Sequence, residues 1–172
     1  TTHGVNSELP VDKGQFETRA HGLLVRFDLV SFDDASVEFL DLTQRDDDLR
    51  GYSGGFMHEH WLYLVPYISR YQGLESGTPS RRNGFHGKLP RVNLASLTLR
   101  GIEWLTLTDF DPDLRGFSAG FSWSNFGYLV PFTNDEKNFR QKTSFGKVVK
   151  IDLSQFASLT REDLRVYRNE SA

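Results

Sequence analysis

Asp48-Leu49-Arg50-Gly51-Tyr52-Ser53-Gly54-Gly55-Phe56 returns 65 positions later as Asp113-Leu114-Arg115-Gly116-Phe117-Ser118-Ala119-Gly120-Phe121. At the same separation, Leu62-Tyr63-Leu64-Val65-Pro66-Tyr67 returns as Gly127-Tyr128-Leu129-Val130-Pro131-Phe132, and Val37-Glu38-Phe39-Leu40-Asp41-Leu42-Thr43 as Ile102-Glu103-Trp104-Leu105-Thr106-Leu107-Thr108. Self-similarity at a fixed period constrains architecture more than local propensity does, because each copy must be a supersecondary unit that buries its apolar face on the next. It carries no chemical group of its own, so fold is legible here before function.

A third phrase begins at a glycine and occurs three times: Gly22-Leu23-Leu24-Val25-Arg26-Phe27-Asp28-Leu29, Gly87-Lys88-Leu89-Pro90-Arg91-Val92-Asn93-Leu94 and Gly146-Lys147-Val148-Val149-Lys150-Ile151-Asp152-Leu153. The second interval is shorter than the first because residues 68–85 outnumber their counterpart, 133–145. A loop absorbs such a difference at little cost. Each complete unit reads as four short strands, at 52–57, 61–67, 87–94 and 102–108, with β-branched and aromatic residues where alternation is clearest and no sustained helical period. The expected fold is all-β, built of repeated four-stranded antiparallel meanders, with helix confined to short turns. Residues 1–20 read as an N-terminal extension, 21–47 as a partial repeat of two strands, 48–112 as a full repeat and 113–172 as a second full repeat with the C-terminal end.

Composition fits a folded chain: 38% of the 172 residues are hydrophobic, 25% charged and 13% aromatic, and large aromatics suit sheet faces. A net charge of −3 and a pI near 5.9 lack the basic excess of a nucleic-acid-binding surface. The absence of cysteine removes disulfides, thiolate metal ligands and thiol nucleophiles, and leaves the redox compartment open. No apolar run reaches the roughly 18 residues a spanning helix needs, and residues 1–17 have no signal-peptide core. The start at Thr1 points to processing or truncation; a processed organellar or secreted chain fits it, without fixing a location.

With these phrases and a four-stranded unit of about 60 residues, the chain from His21 to Arg168 resembles the broad β-propeller superfamily of WD-repeat, YVTN and kelch-like proteins. It lacks the Gly-His and Trp-Asp marks of WD repeats and the paired glycines of kelch repeats. The resemblance implies blades packed face to face, with Gly51, Gly54, Gly55, Gly116 and Gly120 as close-packing positions of the innermost strands. It also implies about ten strands, or two and a half blades, where a closed ring takes at least about four. An open stack exposes apolar faces and strand edges, so copies of the chain or other proteins are the expected partners. Propellers host many activities, and the resemblance selects none.

Candidate functional residues are few. His58 and His60 lie at i and i+2, on one side of a strand, a spacing that can share a metal ion. Two imidazoles are short of a site, and His58-Glu59-His60 occupies the hairpin position of Trp123-Ser124-Asn125, which favours a solvated turn. A recognition surface of His58, His60, Trp61, Trp123 and Asn125 is therefore expected. The long loop at 68–85 adds Arg70, Arg81 and Arg82 beside Tyr71 and Phe85, a mixture suited to protein recognition, and is expected on the same face. Asp46-Asp47-Asp48 and Asp111-Pro112-Asp113 have the residue types of a calcium site or an acid–base pair. Their recurrence favours turn caps, with Arg50 or Arg115 pairing to a neighbouring carboxylate. Ser53, Ser118 and Ser122 have no adjacent base and no nucleophile elbow, and the glycines lack a phosphate-loop lysine.

The residues thus assign no catalytic, cofactor-binding or metal-binding position. The expected function is a non-catalytic structural or protein-interaction subunit of a larger assembly. One alternative is a carbohydrate or small-ligand binding propeller, since Trp, Tyr and Asn at loop tips suit glycan faces. Another is a hydrolase or lyase whose catalytic groups come from further blades.

Overall fold

The structure is a computed structural model that describes residues 17–72, 84–134 and 146–168. In chain order its strands are β1 (Glu17–Arg19), β2 (Leu23–Arg26), β3 (Glu38–Asp41), β4 (Tyr52–His58), β5 (Trp61–Pro66), β6 (Arg70–Gln72), β7 (Lys88–Asn93), β8 (Ile102–Thr106), β9 (Phe117–Trp123), β10 (Phe126–Pro131), β11 (Lys147–Asp152) and β12 (Leu164–Arg168). They form two four-stranded sheets, β4-β5-β7-β8 and β9-β10-β11-β12, and two two-stranded sheets, β2-β3 and β1-β6. All pairings are antiparallel. Among the described residues the fold is all-β, helix is limited to 3-10 turns, the longest being Leu153–Ser158, and the sheets do not close into a barrel.

The β1-β6 ribbon departs from the sequence reading, which put residues 17–19 in an extension and residues 70–72 in a loop. Arg70, Tyr71 and Gln72 pair with Arg19, Thr18 and Glu17, and the Ala20 amide continues the ladder to the Ser69 carbonyl at 3.0 Å. Pairing satisfies backbone groups that would otherwise need water. Two short segments far apart in sequence give no periodic signal of this. Strand ends also shift: β5 stops at Pro66, and β8 stops at Thr106, where a 3-10 turn, Leu107–Asp109, begins. Pro66 and Pro131 close β5 and β10, because proline has no N–H to give a ladder.

Two-residue loops set the register of the inner hairpins. His58 faces Trp61 across Glu59-His60, and Trp123 faces Phe126 across Ser124-Asn125. Glu59 and Ser124 take φ of 53° and 54°, the same backbone solution in both copies; such short loops leave no slack for a register slip. At the other end of these strands the repeated Leu-Arg-Gly closes on glycine for a geometric reason. Gly51 and Gly116 have φ of 77° and 71°, and a Cβ on them would stand 2.0 Å from the Ile68 oxygen and 1.6 Å from the Thr133 oxygen. Their carbonyls accept the amides of Tyr67 and Ile68, and of Phe132 and Thr133.

The sheets stack through two apolar layers. Leu40, Leu42, Leu49, Leu64, Val92 and Ile102 are buried together where β2-β3 meets the first four-stranded sheet. Phe56, Tyr63, Val65 and Leu89 of that sheet meet Leu129, Val149, Ile151 and Phe156 of the next. The first four-stranded sheet uses alternate residues of β5 for its two sides, Tyr63 and Val65 for one layer and Leu62 and Leu64 for the other.

Candidate interaction surface

The two inner hairpin tips lie side by side. The Ser122 hydroxyl donates to the Met57 carbonyl at 2.7 Å and the Ser53 hydroxyl to the Phe117 carbonyl at 2.9 Å, stitching β4 to β9. His58, His60, Trp61, Trp123 and Asn125 are therefore brought together at one end of the sheets. His60 is exposed and tilts against Trp61, ring centroids 5.2 Å apart. Trp61 is half-buried, with the Arg91 guanidinium 4.2 Å from its ring centroid. Trp123 is 71% exposed. The carbonyls of His60 and Asn125 each hold the chain leaving the third strand, accepting from Leu94 and Leu153 at 2.9 Å.

Arg70 is elsewhere. It belongs to β6, which follows the far end of β5, and the length of β5 separates it from the tip by roughly 17 Å at about 3.3 Å per residue. The expectation that the long loop and the His58 hairpin share a face is corrected on this point. Arg81 and Arg82 lie outside the described residues.

The repeated carboxylates are turn and cross-link groups. Asp46 and Asp111 accept the amides of Asp48 and Asp113 at 2.9 and 3.0 Å, the side-chain turn expected of Asp there. Their main cationic partners are lysines. Lys88 Nζ lies 2.9 and 3.0 Å from the two Asp46 oxygens, and Lys147 Nζ lies 2.9 Å from Asp111 and 2.6 Å from Asp113. Burial pushes both carboxyls up, and the hydrogen bonds and positive charge of the lysine and the turn amide outweigh it, holding Asp46 and Asp111 below the usual carboxylate range. Arg50 pairs with Asp47, the arginine–carboxylate pairing expected of Arg50 or Arg115, whereas Arg115 Nε is buried without a hydrogen-bond partner among the described residues. The sequence signal for the lysines was present: Gly-Lys opens the third-strand phrase at Gly87 and Gly146, and Gly-Leu replaces it at Gly22.

Among the described residues no group of three His, Cys, Asp or Glu side chains is placed to hold a metal ion. The hydroxyls of Ser53, Ser118 and Ser122 all donate to backbone carbonyls. His86 was not singled out from sequence. Its Nε2 lies 3.0 Å from the Gly51 carbonyl and its ring meets Tyr52 edge-on at 5.6 Å. Burial pulls its pKa below the ordinary histidine value, so at neutral pH it is an uncharged donor that braces the Gly51 crossing.

The end sheet presents a second surface that sequence reasoning missed. Phe56 and Tyr63 stack at 5.1 Å and are buried between the four-stranded sheets; Phe121 and Tyr128 stack at 5.0 Å on the far side of the second sheet, where Phe121 is 52% exposed. Val148 and Tyr167 are exposed as well. The signal available was the repeat itself, which assigns Phe121 the role of Phe56 without supplying its cover. The chain matches no model of a known protein family and no curated protein. Among the described residues these surfaces present exposed aromatic side chains, Phe121, Trp123 and Tyr167, and the cations Lys150 and Arg165.

Proposed function

We propose that this chain is a β-propeller-like repeat module, of about two and a half blades, acting as a non-catalytic structural or protein-interaction subunit of a larger assembly. One observation carries the reading: the aromatic pair that the Phe56–Tyr63 stack buries inside the molecule is repeated by Phe121 and Tyr128 on an open end sheet. At the opposite end Leu29, Val30 and Phe32 are also exposed. Apolar surface at both ends of a stack of sheets suits a part that is covered by neighbours.

Native mass measured on protein from its natural source tests this against the 19.7 kDa chain. Stable association with itself or with other chains is the expected result. A well-folded 19.7 kDa monomer without partners overturns it. A lectin-like role is a second reading, favoured by the Trp123 ring, 71% exposed at the hairpin tip beside Asn125.

A further inference from the structure

The connections from the third to the fourth strand of each unit open on the same turn. Asp28, Asn93 and Asp152 each accept, on the side-chain oxygen, the amide two residues on: Val30 at 2.7 Å, Ala95 at 2.9 Å and Ser154 at 3.0 Å. Four residues after each of them stands an apolar side chain: Phe32, Leu97 and Phe156. Phe32 and Leu97 share the backbone as well, with φ of 43° and 36° and amides bonded to the Asp28 and Asn93 carbonyls at 3.0 and 2.9 Å.

The last two of these side chains are plugs that seat on the preceding sheet. Leu97 packs in the layer between β2-β3 and the first four-stranded sheet. Phe156 is buried edge-on against Tyr63, ring centroids 5.4 Å apart, with the Arg91 guanidinium 4.5 Å from its ring centroid. Phe32 meets the Phe27 ring at 5.4 Å and is otherwise turned to solvent, 71% exposed. Among the described residues it is a plug without a seat, at one end of the stack.

Among the described residues, a seat without a plug stands at the other end. Tyr128 on Phe121 repeats Tyr63 on Phe56, with interplanar angles of 11° and 5°. Lys150 Nζ lies 3.8 Å from the Phe126 ring centroid as the Arg91 guanidinium lies 4.2 Å from that of Trp61. Charge differs between the two seats in a way that selects the occupant. Arg91 is paired across the strands with Glu103 at 2.6 Å, whereas Lys150 faces Arg165 in the corresponding register. The empty seat therefore has two cations where the filled one has an ion pair. The plugs differ in the opposite sense: Phe156 is flanked by Gln155 and Ala157, and Phe32 is followed by Asp33 and Asp34, both exposed.

We propose that two copies of this chain associate head to tail, Phe32 of one seating on Tyr128 of the other with Asp33 and Asp34 against Lys150 and Arg165. This rests on the reading of the chain as an interaction module and names its partner. The contact joins unlike surfaces, so it closes into a ring or propagates. At about two and a half blades each, two copies bring together about five, within the range of about four to eight in closed propellers.

Sedimentation of the purified 172-residue chain, from well below to well above micromolar concentration, is the test. Mass is expected to rise from 19.7 kDa to a multiple, less so at high salt because the contact is charged. Phe32→Ala is expected to weaken association by about tenfold or more, as loss of a central aromatic anchor does. D33K/D34K and K150E/R165E variants should each stay monomeric alone and associate when mixed, with urea midpoints near that of the parent chain. A folded monomer at every concentration overturns the proposal, as do association unchanged by Phe32→Ala and charge-swapped variants that stay apart when mixed. If the purified chain is monomeric while protein from its natural source carries different chains, head-to-tail pairing fails and the interaction-module reading stands; if both are monomeric, both fail.

Discussion

The Phe56 ring occupies the space that a side chain on Gly120 would need: a Cβ there would stand 2.8 Å from Phe56 Cδ1 and 2.9 Å from Val65 Cγ2. Gly127 borders the same ring, its missing Cβ 3.0 Å from Phe56 Cζ. A large residue on one sheet is thus matched by small ones on the next, as close packing demands.

Gly120→Val is expected to destabilise the fold by about 3 kcal/mol or prevent folding, since the added methyls meet a fixed aromatic ring rather than a flexible chain end. A urea midpoint within experimental error of the parent would show that the sheets do not pack in this way. Gly54, which the sequence groups with Gly120 as a close-packing position, has no heavy atom within 4 Å of where its Cβ would lie, and any cost of replacing it comes from its backbone, φ 157°.

Gly116 and Gly146 separate close approach from backbone strain. Their φ values are alike, 71° and 66°, but a Gly116 Cβ would strike the Thr133 oxygen while a Gly146 Cβ meets nothing within 4 Å. Gly146→Ala is expected to cost about 1 kcal/mol, the usual penalty of a left-handed backbone. Gly116→Ala should leave little folded protein. Equal midpoints in urea for the two variants would contradict the crossing at Thr133.

The all-β class and the four-strand unit were legible because glycines, prolines and apolar alternation recur at one offset, so each copy corroborates the other. The β1-β6 ribbon was not, since three-residue strands distant in sequence pair through backbone groups that every residue possesses. The sequence assigns His58, His60, Trp61, Trp123 and Asn125 to equivalent hairpin positions, because hairpin position follows from the repeat, and the structure sets the two tips side by side. The sequence reading misplaced Arg70, because which end of a strand a loop leaves from depends on counting the strand. It passed over Lys88 and Lys147: the recurring Gly-Lys marks them, but their carboxylate partners lie 42 and 36 positions away, so no local pattern names the pairing.

Lys147 is 9% exposed and bonded to Asp111 and Asp113, so Lys147→Met takes the lysine from Asp113 and leaves Asp111 with the Arg168 guanidinium, 3.4 Å away. A loss of about 1–3 kcal/mol is expected. The pH dependence has a definite sign. Asp46 and Asp111 have folded-state pKa values below the ordinary 3.8, so the unfolded chain takes up protons first as pH falls, and their contribution, present above 3.8, is lost as pH drops through the folded values. Urea midpoints measured from neutrality to below this range should show that decline, and it should be shallower in Lys88→Met and Lys147→Met. An equal decline in all three proteins would remove the lysines as its cause.

If the hairpin tips bind sugar, Trp123 is the residue that does it, because an exposed indole face is the group that stacks on a pyranose and the neighbouring Asn125 can bond its hydroxyls. Binding on a glycan array should then disappear in Trp123→Ala with the urea midpoint unchanged, its ring being 71% exposed. Silence of the parent protein across the array leaves the tips without a ligand of this class.

His86 supplies an acid step of its own, which begins at higher pH than that of the carboxylates. Burial lowers its pKa from the ordinary 6.5, so below that value the unfolded chain binds a proton that the folded chain resists, and stability present above pH 6.5 falls as pH drops towards the folded value. The repeat offers a replacement that keeps an aromatic ring: the residue before the third-strand glycine is His86 in one copy and Phe145 in the next. His86→Phe loses the 3.0 Å bond to the Gly51 carbonyl, but that oxygen still accepts the Tyr67 and Ile68 amides, so a cost of about 1 kcal/mol at neutral pH is expected. Because phenylalanine does not titrate, the variant should show a smaller decline below neutrality than the parent. Chemical denaturation at pH 7 and pH 5 on both proteins measures the difference; a decline of equal size in His86→Phe would place the titrating group elsewhere.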